Sequence, residues 1–171
     1  MSKSKFLSLF LLIAAVPVLV AFVLLKTGWY HAGVNNKGTW YQQEIHLLPA
    51  IEAKQAHWRL VYLRPAVCDT VCKSVEHLMK QIHAALGRKQ QQLDLVVLTS
   101  ERVEEQAEGP AIRYLQSSFA GLPVGSLIIV EQQGLALLHY KLPGDIQHFP
   151  LLGKDVMADL QKLFKFDRGP V

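Results

Sequence analysis

The chain opens with a long apolar run. Phe6 to Leu25 is a stretch of twenty uncharged residues in which Ser8 is the only polar one. Twenty helical residues at about 1.5 Å each cover the roughly 30 Å hydrocarbon core of a bilayer. The run is longer than the apolar core of a cleaved signal peptide, and Ala21–Leu25 offers no cleavage site. The sequence therefore predicts a retained transmembrane helix, with a cleaved signal peptide as the alternative.

After position 38 the hydrophobic pattern changes repeatedly between strand and helix periodicity. Apolar residues three and four positions apart predict an amphipathic helix from Val71 to Leu86, and another one after Gly153. A weaker helical pattern runs from Glu101 to Phe119. The predicted strands are Trp58–Leu63, Leu93–Leu98, Ser126–Val130 and Leu135–Tyr140, the last two forming a hairpin that turns at Gly134.

The predicted elements follow the order β-α-β-α-β-β-α, which resembles that of thioredoxin-like proteins. A strand, a helix and a second strand in succession imply a parallel pair with a right-handed crossover. We therefore expect an α/β fold, with a thioredoxin-like mixed sheet flanked by helices and preceded by one N-terminal transmembrane helix. The predicted organisation is a tail and transmembrane anchor at 1–27, a linker at 28–38 and the thioredoxin-like domain at 39–171.

The positive charge of the chain is concentrated around the predicted anchor. The whole sequence has 18 Lys and Arg against 14 Asp and Glu. Four of the basic residues, Lys3, Lys5, Lys26 and Lys37, precede position 38, so the remaining domain has a formal charge of zero. No basic stripe is left to follow a phosphate backbone, and we expect no nucleic-acid partner.

The two cysteines, Cys68 and Cys72, lie between the first predicted strand and the helix that follows it. Residues four apart share one helix face, and the positive end of the helix dipole stabilises a thiolate. Asp69 and Thr70 suit a helix start, because their side-chain oxygens can cap free N–H groups. The pair suits a dithiol/disulfide or two thiolates on a soft ion such as Cu(I). A structural disulfide or two buried thiols is the alternative.

The lysines around the anchor also predict its orientation. Two lysines and the amino terminus precede the apolar run, and Lys26 and Lys37 follow it. This small excess favours an N-terminus on the cytoplasmic side. We expect a single-pass protein of a bacterial inner membrane, with its soluble domain in the periplasm. That compartment is oxidising, which suits a pair of cysteines able to form a disulfide.

The anchor, the strand Leu60–Leu63 and the Cys-x-x-x-Cys motif at a helix start resemble the SCO/SenC proteins. These are membrane-anchored thioredoxin-fold proteins of cytochrome c oxidase assembly, which deliver copper to the oxidase or reduce its cysteines. Cys68, Val71 and Cys72 match the family motif Cys-Pro-Asp-Val-Cys. The resemblance implies that Cys68 and Cys72 carry the chemistry and are the copper ligands if copper is bound.

The chain departs from the SCO/SenC pattern at the third copper ligand. The family carries a histidine before a later strand, in the segment that corresponds to Pro123–Ser126. This chain has Gly125 there and no histidine. We therefore expect no required cofactor and treat copper as optional. The remaining candidate imidazole ligands are His77, His83, His139 and His148.

These observations predict a membrane-anchored accessory factor for cytochrome c oxidase biogenesis, acting through Cys68 and Cys72. Its partners would be the membrane and either an oxidase subunit or other assembly factors. One alternative is a general thiol-disulfide oxidoreductase of the periplasm, although such enzymes usually carry Cys-x-x-Cys. The other alternative is a non-catalytic assembly factor in which the disulfide is structural.

Overall fold

A computed structural model describes residues 3–27, 36–51, 58–100, 112–117 and 121–166, in two units that divide between residues 35 and 36. The first unit contains helix α1, Lys3–Lys26, with Pro17 inside it. Large apolar side chains between Leu9 and Val23 are exposed. Within the described residues, no helix combines the length and the apolar character that crossing a bilayer requires. The transmembrane span predicted at Phe6–Leu25 is therefore not confirmed.

The second unit is built on a mixed six-stranded sheet. Its strands are β1 Thr39–Trp40, β2 Trp58–Leu63, β3 Leu93–Thr99, β4 Ile112–Gln116, β5 Ser126–Glu131 and β6 Ala136–Lys141. They lie side by side in the order β1-β6-β5-β2-β3-β4. Strand β2 is parallel to β3, and β3 is parallel to β4. Strand β5 is antiparallel to both β2 and β6, and β1 is antiparallel to β6.

Two helices cover one face of this sheet. Helix α2, Thr70–Ala85, connects β2 to β3, and helix α3, Phe149–Phe166, ends the described chain. Their apolar stripes pack on alternate strand residues, because side chains in a strand point to opposite faces. This main core contains Leu60 from β2, Val75 from α2 and Leu160 from α3, all with no exposed surface.

The other face of the sheet has its own smaller core. Its strand residues are the alternate ones, such as Val61 and Ile128, both of which have no exposed surface. Tyr41, Ile45 and Leu48, from the segment that follows β1, pack on this face. Because both faces are covered, β2 is buried at all six positions, as expected for a central strand with neighbours on both sides.

The mixed sheet with packed helices confirms the predicted α/β sheet domain, but not the transmembrane helix predicted to precede it. The strand predicted at Trp58–Leu63 is confirmed at both ends. The helical region predicted at Glu101–Phe119 is wrong at Ile112–Gln116, which forms β4. Pairing with β3 determines this segment, since tertiary context overrides a weak local pattern. Ser117 is in neither a helix nor a strand, and positions 101–111 and 118–119 lie outside the described residues.

The last helix starts earlier than the sequence predicts, at Phe149 instead of after Gly153. A 3-10 turn at Ile146–His148 leads into it. Gly153 lies inside α3, where a Cβ atom would come within 3.0 Å of Leu78 on α2. The absence of a side chain there allows the two helices to approach closely, which explains a glycine within a helix.

Candidate functional site

Cys68 and Cys72 form a disulfide where β2 ends and α2 begins. Their Cα atoms are 5.2 Å apart, within the usual range for a disulfide. Cys72 is buried, with 1% of its surface exposed, whereas Cys68 is half-buried at the rim of the main core. An incoming thiol or disulfide therefore meets Cys68 first, and Cys72 lies behind it.

Asp69 begins α2 and holds the motif in its shape. Its backbone is extended, and its side chain accepts a 2.9 Å hydrogen bond from the N–H of Cys72. This interaction confirms the predicted capping role of Asp69. Cys68 therefore lies just before the helix and Cys72 in its first turn, where the helix dipole favours negative charge on a sulfur.

The loop that carries Cys68 leaves a strand whose end is fixed on both sides. The carbonyl oxygen of Leu63, the last residue of β2, accepts a 2.7 Å hydrogen bond from the N–H of Gly125. The N–H of Arg64 donates a 2.8 Å hydrogen bond to the carbonyl oxygen of Leu98 on β3. The loop before β5 and the end of β3 therefore both border the site.

A carboxylate, Glu76, lies beside the disulfide. One of its oxygens is within 4.8 Å of the Sγ atoms of both cysteines. Its Oε2 atom accepts a 3.1 Å hydrogen bond from the hydroxyl of Tyr114 on β4, and its Oε1 atom is 3.7 Å from Nη1 of Arg64. The site thus contains an acid and a guanidinium group as well as the two sulfurs.

Two tyrosines near this carboxylate have altered acidity. Burial, followed by the negative charge of Glu76, raises the pKa of Tyr62 to about 12. The same two causes, with the hydrogen bond to Glu76 added, raise the pKa of Tyr114 to about 12. Both hydroxyls therefore stay protonated at neutral pH, and Tyr114 acts as a hydrogen-bond donor to the carboxylate.

None of the histidines that the structure describes joins the two sulfurs in a group of possible metal ligands. Among the described residues, the cluster of possible metal ligands at the disulfide consists of Cys68, Cys72 and Glu76. It does not include the candidate imidazoles of His77, His83, His139 and His148. The segment Pro123–Ser126, where the SCO/SenC pattern has its histidine, borders the site but supplies none. This donor set does not reproduce the three-ligand copper site of that family.

The sequence interpretation missed Arg64, Glu76 and Tyr114. Glu76 could have been found, because it follows Cys72 by four residues and so lies on the same helix face. Tyr114 could not, since it lies in a segment that was predicted to be helical but pairs as β4. Its approach to the site depends on the order of strands in the sheet.

Comparison with known proteins gives one family match. The model of the family described as "Transmembrane-like, thioredoxin-like, C-terminal domain" matches residues 58–167. No curated protein matches the chain. A solved structure entitled "Solution Structure of a Thioredoxin-like Protein in the Oxidized Form" aligns with 74% of this chain and 93% of its own, at 13% sequence identity and a TM-score of 0.38.

Proposed function

Since the chain belongs to the family of transmembrane-like, thioredoxin-like C-terminal domains, we propose that it is a thiol-disulfide exchange protein. The observation that carries this proposal is the placement of the two sulfurs at the start of α2, with Cys68 accessible and Cys72 buried. Cys68 forms the mixed disulfide with a client protein. Cys72 then resolves it, because its sulfur is already beside that of Cys68.

The main alternative within the same fold is a structural disulfide that only fastens the loop to α2. The reduction potential separates the two functions. The full-length protein is equilibrated in glutathione buffers of graded ratio, its free thiols are alkylated, and the added mass is counted. We expect half-reduction at a potential above about −300 mV. A lower potential would support the structural disulfide, and the Cys68→Ser/Cys72→Ser double variant is the control.

We also propose that α1 attaches this domain to a membrane. The support is the uncharged run Phe6–Leu25 and the exposure of its apolar side chains between Leu9 and Val23. A tether would raise the effective concentration of the thiol pair near membrane-bound clients. The full-length protein is expected to remain with the membrane through an alkaline carbonate wash, and a Leu12→Lys/Val16→Lys variant to be released. Recovery of the unsubstituted protein in the soluble fraction would contradict this.

A narrower proposal names the client and the compartment. Because the chain resembles the SCO/SenC proteins, we propose that the domain lies in the periplasm and acts on a cytochrome c oxidase subunit or one of its assembly factors. This proposal rests on the sequence resemblance at Cys68, Val71 and Cys72. Its test is the oxidase absorbance spectrum of membranes from cells that carry Cys68→Ser or Cys72→Ser. Normal oxidase levels in both variants would remove the oxidase as a client.

A second candidate function is the binding of a soft ion by the reduced pair. The observation that favours it is the position of both sulfurs at the start of α2, where the positive end of the helix dipole stabilises thiolates. Two thiolates suit Cu(I), which needs no third ligand from an imidazole. Titration of the reduced protein with Cu(I) is expected to saturate at one ion per chain. Equal binding by the Cys68→Ser/Cys72→Ser variant would rule out this site.

A further inference from the structure

A groove lies where the two helices that cover the sheet come to their ends. Its volume is about 510 Å³, and its walls are formed by the end of α2, the 3-10 helix Gly87–Gln92 that follows it, and the last turns of α3. The residues that line it are Ala85, Leu86, Arg88, Lys89, Gln161 and Lys165. We call it the basic groove, because three of these six residues are cationic and none is acidic.

The cations of the basic groove, Arg88, Lys89 and Lys165, are all exposed. Among the described residues, none of the three forms an ion pair with a carboxylate. The next charged residues in the sequence, Asp167 and Arg168, have opposite charges that cancel. The chain after position 37 has a formal charge of zero, so the groove is a local excess of positive charge on a neutral domain.

Cations at the C-terminal ends of helices have an ordinary structural role, because the negative end of the helix dipole attracts them. Each helix end is equivalent to about half a negative charge, so α2 and α3 together offset about one of the three positive charges. The dipoles therefore account for only part of the cluster. The remaining charge lies in a concave part of the surface, where an anion can contact several of the cations at once.

The lining of the basic groove also indicates what kind of anion fits. Ala85, Leu86 and the methylene groups of the lysine side chains provide apolar surface beside the charges. The amide of Gln161 provides a further hydrogen-bond donor. The headgroup region of a phospholipid combines a phosphate with an apolar glycerol backbone, and anionic membrane surfaces attract clustered Lys and Arg.

We propose that the basic groove binds the headgroup of an anionic phospholipid, an inference that rests on the proposed membrane attachment. Helix α2 begins beside the disulfide and ends at the groove, sixteen residues and about 24 Å later. Binding through the groove therefore keeps the disulfide on the side of the domain that faces away from the bilayer. The clients of the disulfide are then cysteines that lie outside the membrane, beyond the lipid headgroups.

The test measures how accessible the lysines of the basic groove are at a membrane. The full-length protein is placed in lipid nanodiscs of phosphatidylcholine, either alone or mixed with phosphatidylglycerol, and is treated briefly with a water-soluble acetylating ester. Peptide mass spectrometry gives the acetylation rates of Lys89 and Lys165 relative to that of Lys73. Lys73 is the internal reference, because it is exposed near the start of α2, at the disulfide end of the helix.

The expected result is selective protection of the groove lysines by the anionic lipid. Lys89 and Lys165 should be acetylated at least about fivefold more slowly in the nanodiscs with phosphatidylglycerol, because one cation near an anionic surface gains roughly this factor in binding. Concentrated salt should remove the protection, since it screens exposed charges. Arg88→Gln/Lys165→Gln should abolish the protection of Lys89. Lys141→Gln/Lys154→Gln, which removes two exposed cations elsewhere, should retain it.

Other results separate the failure of the groove from the failure of the membrane attachment. Equal rates in the two kinds of nanodisc, with the protein retained in both, refute the groove as a lipid site and leave the attachment intact. A protein that enters neither nanodisc refutes both. Equal protection by inorganic phosphate in the nanodiscs of phosphatidylcholine alone assigns the groove to free anions and overturns the lipid proposal. Equal loss of protection in the two double variants also overturns it, because total charge would then explain the effect.

Discussion

The hydroxyl of Tyr140 on β6 donates a 2.9 Å hydrogen bond to Oδ2 of Asp159 on α3, a residue with no exposed surface. The same oxygen accepts the backbone N–H groups of Lys37, at 2.7 Å, and Gly38, at 2.8 Å. Oδ1 accepts a 3.3 Å hydrogen bond from Lys162. The carboxylate of Asp159 therefore links the residues just before β1 to strand β6 and to helix α3.

Replacement of this carboxylate should destabilise the domain strongly. In Asp159→Ala the donors of Tyr140 and Gly38 are left buried without an acceptor, which we expect to cost roughly 3 kcal/mol. Tyr140→Phe removes one donor and should cost about 1.5 kcal/mol. Urea unfolding measures both values. Gln161→Ala, at an exposed position of α3, is the control and should change the free energy of unfolding little. An equally small change for Asp159→Ala would contradict the prediction.

Gly38 should not tolerate a side chain. A Cβ atom at this position would lie 2.6 Å from the ring of Tyr140, closer than real Cβ contacts, and the ring cannot move without losing its bond to Asp159. Gly38→Ala is expected to lower stability by about 1–3 kcal/mol. Gly144→Ala is the matched control, since nothing lies within 4 Å of its Cβ position. Equal melting temperatures for the two variants would show that the contact is relieved without cost.

The two cysteines should differ in reactivity once they are reduced. Cys68 is half-buried, whereas Cys72 has 1% of its surface exposed. We expect iodoacetamide to modify Cys68 at least about tenfold faster, because alkylation needs an accessible thiolate. Peptide mass spectrometry at set times gives both rates. Equal rates would mean that reduction exposes Cys72, and the assignment of Cys68 as the attacking group would fail.

Removing the charge of Asp69 without removing the cap should speed the reaction of Cys68. The carboxylate adjoins Cys68 and disfavours a thiolate there, while its Oδ1 caps the N–H of Cys72. Asp69→Asn retains a capping oxygen, so we expect faster alkylation of Cys68 at neutral pH with little change in stability. Asp69→Ala should in addition lose about 1 kcal/mol of stability. Slower alkylation in Asp69→Asn would contradict this reasoning.

The tyrosines beside Glu76 predict a loss of stability in alkaline solution. The folded protein holds the pKa of Tyr62 and of Tyr114 at about 12, against 10.0 as the ordinary value. The unfolded chain releases these protons at a lower pH than the folded protein does. The free energy of unfolding is therefore highest below pH 10 and falls as the pH rises towards 12. Urea unfolding across this range measures the loss, which should be smaller in Tyr114→Phe. The difference in tyrosinate absorbance between the unsubstituted protein and Tyr114→Phe gives the pKa of Tyr114, and the same comparison with Tyr62→Phe gives that of Tyr62.

The sequence predicts most of the sheet and the thioredoxin-like fold. Strands such as Trp58–Leu63 and Leu93–Thr99 are mostly apolar runs, each with one charged residue, Arg59 or Asp94, and this pattern depends on local sequence alone. The cysteine pair and the cap at Asp69 are equally local, since all three lie within five consecutive residues. These parts of the candidate site could be predicted for that reason.

The rest of the site depends on contacts between distant parts of the chain. Tyr114 meets Glu76 only because β4 is placed beside β3, and a five-residue segment gives little indication of its strand partner. The role of Asp159 is similar, because its bonds to Lys37 and Gly38 span more than a hundred residues. A spacing rule within one helix could have revealed Glu76, but no local rule reveals the residues that hold it.

The fixed end of β2 has a consequence for how the protein cycles. Leu63 and Arg64 are tied to neighbours on either side, through Gly125 and Leu98, and neither tie involves a sulfur. We therefore expect these two hydrogen bonds to persist when the disulfide opens and closes, and the rearrangement to be confined to the first turn of α2. The oxidised and reduced proteins should differ little in shape, so a client would have to distinguish them by sulfur chemistry and not by a moving surface.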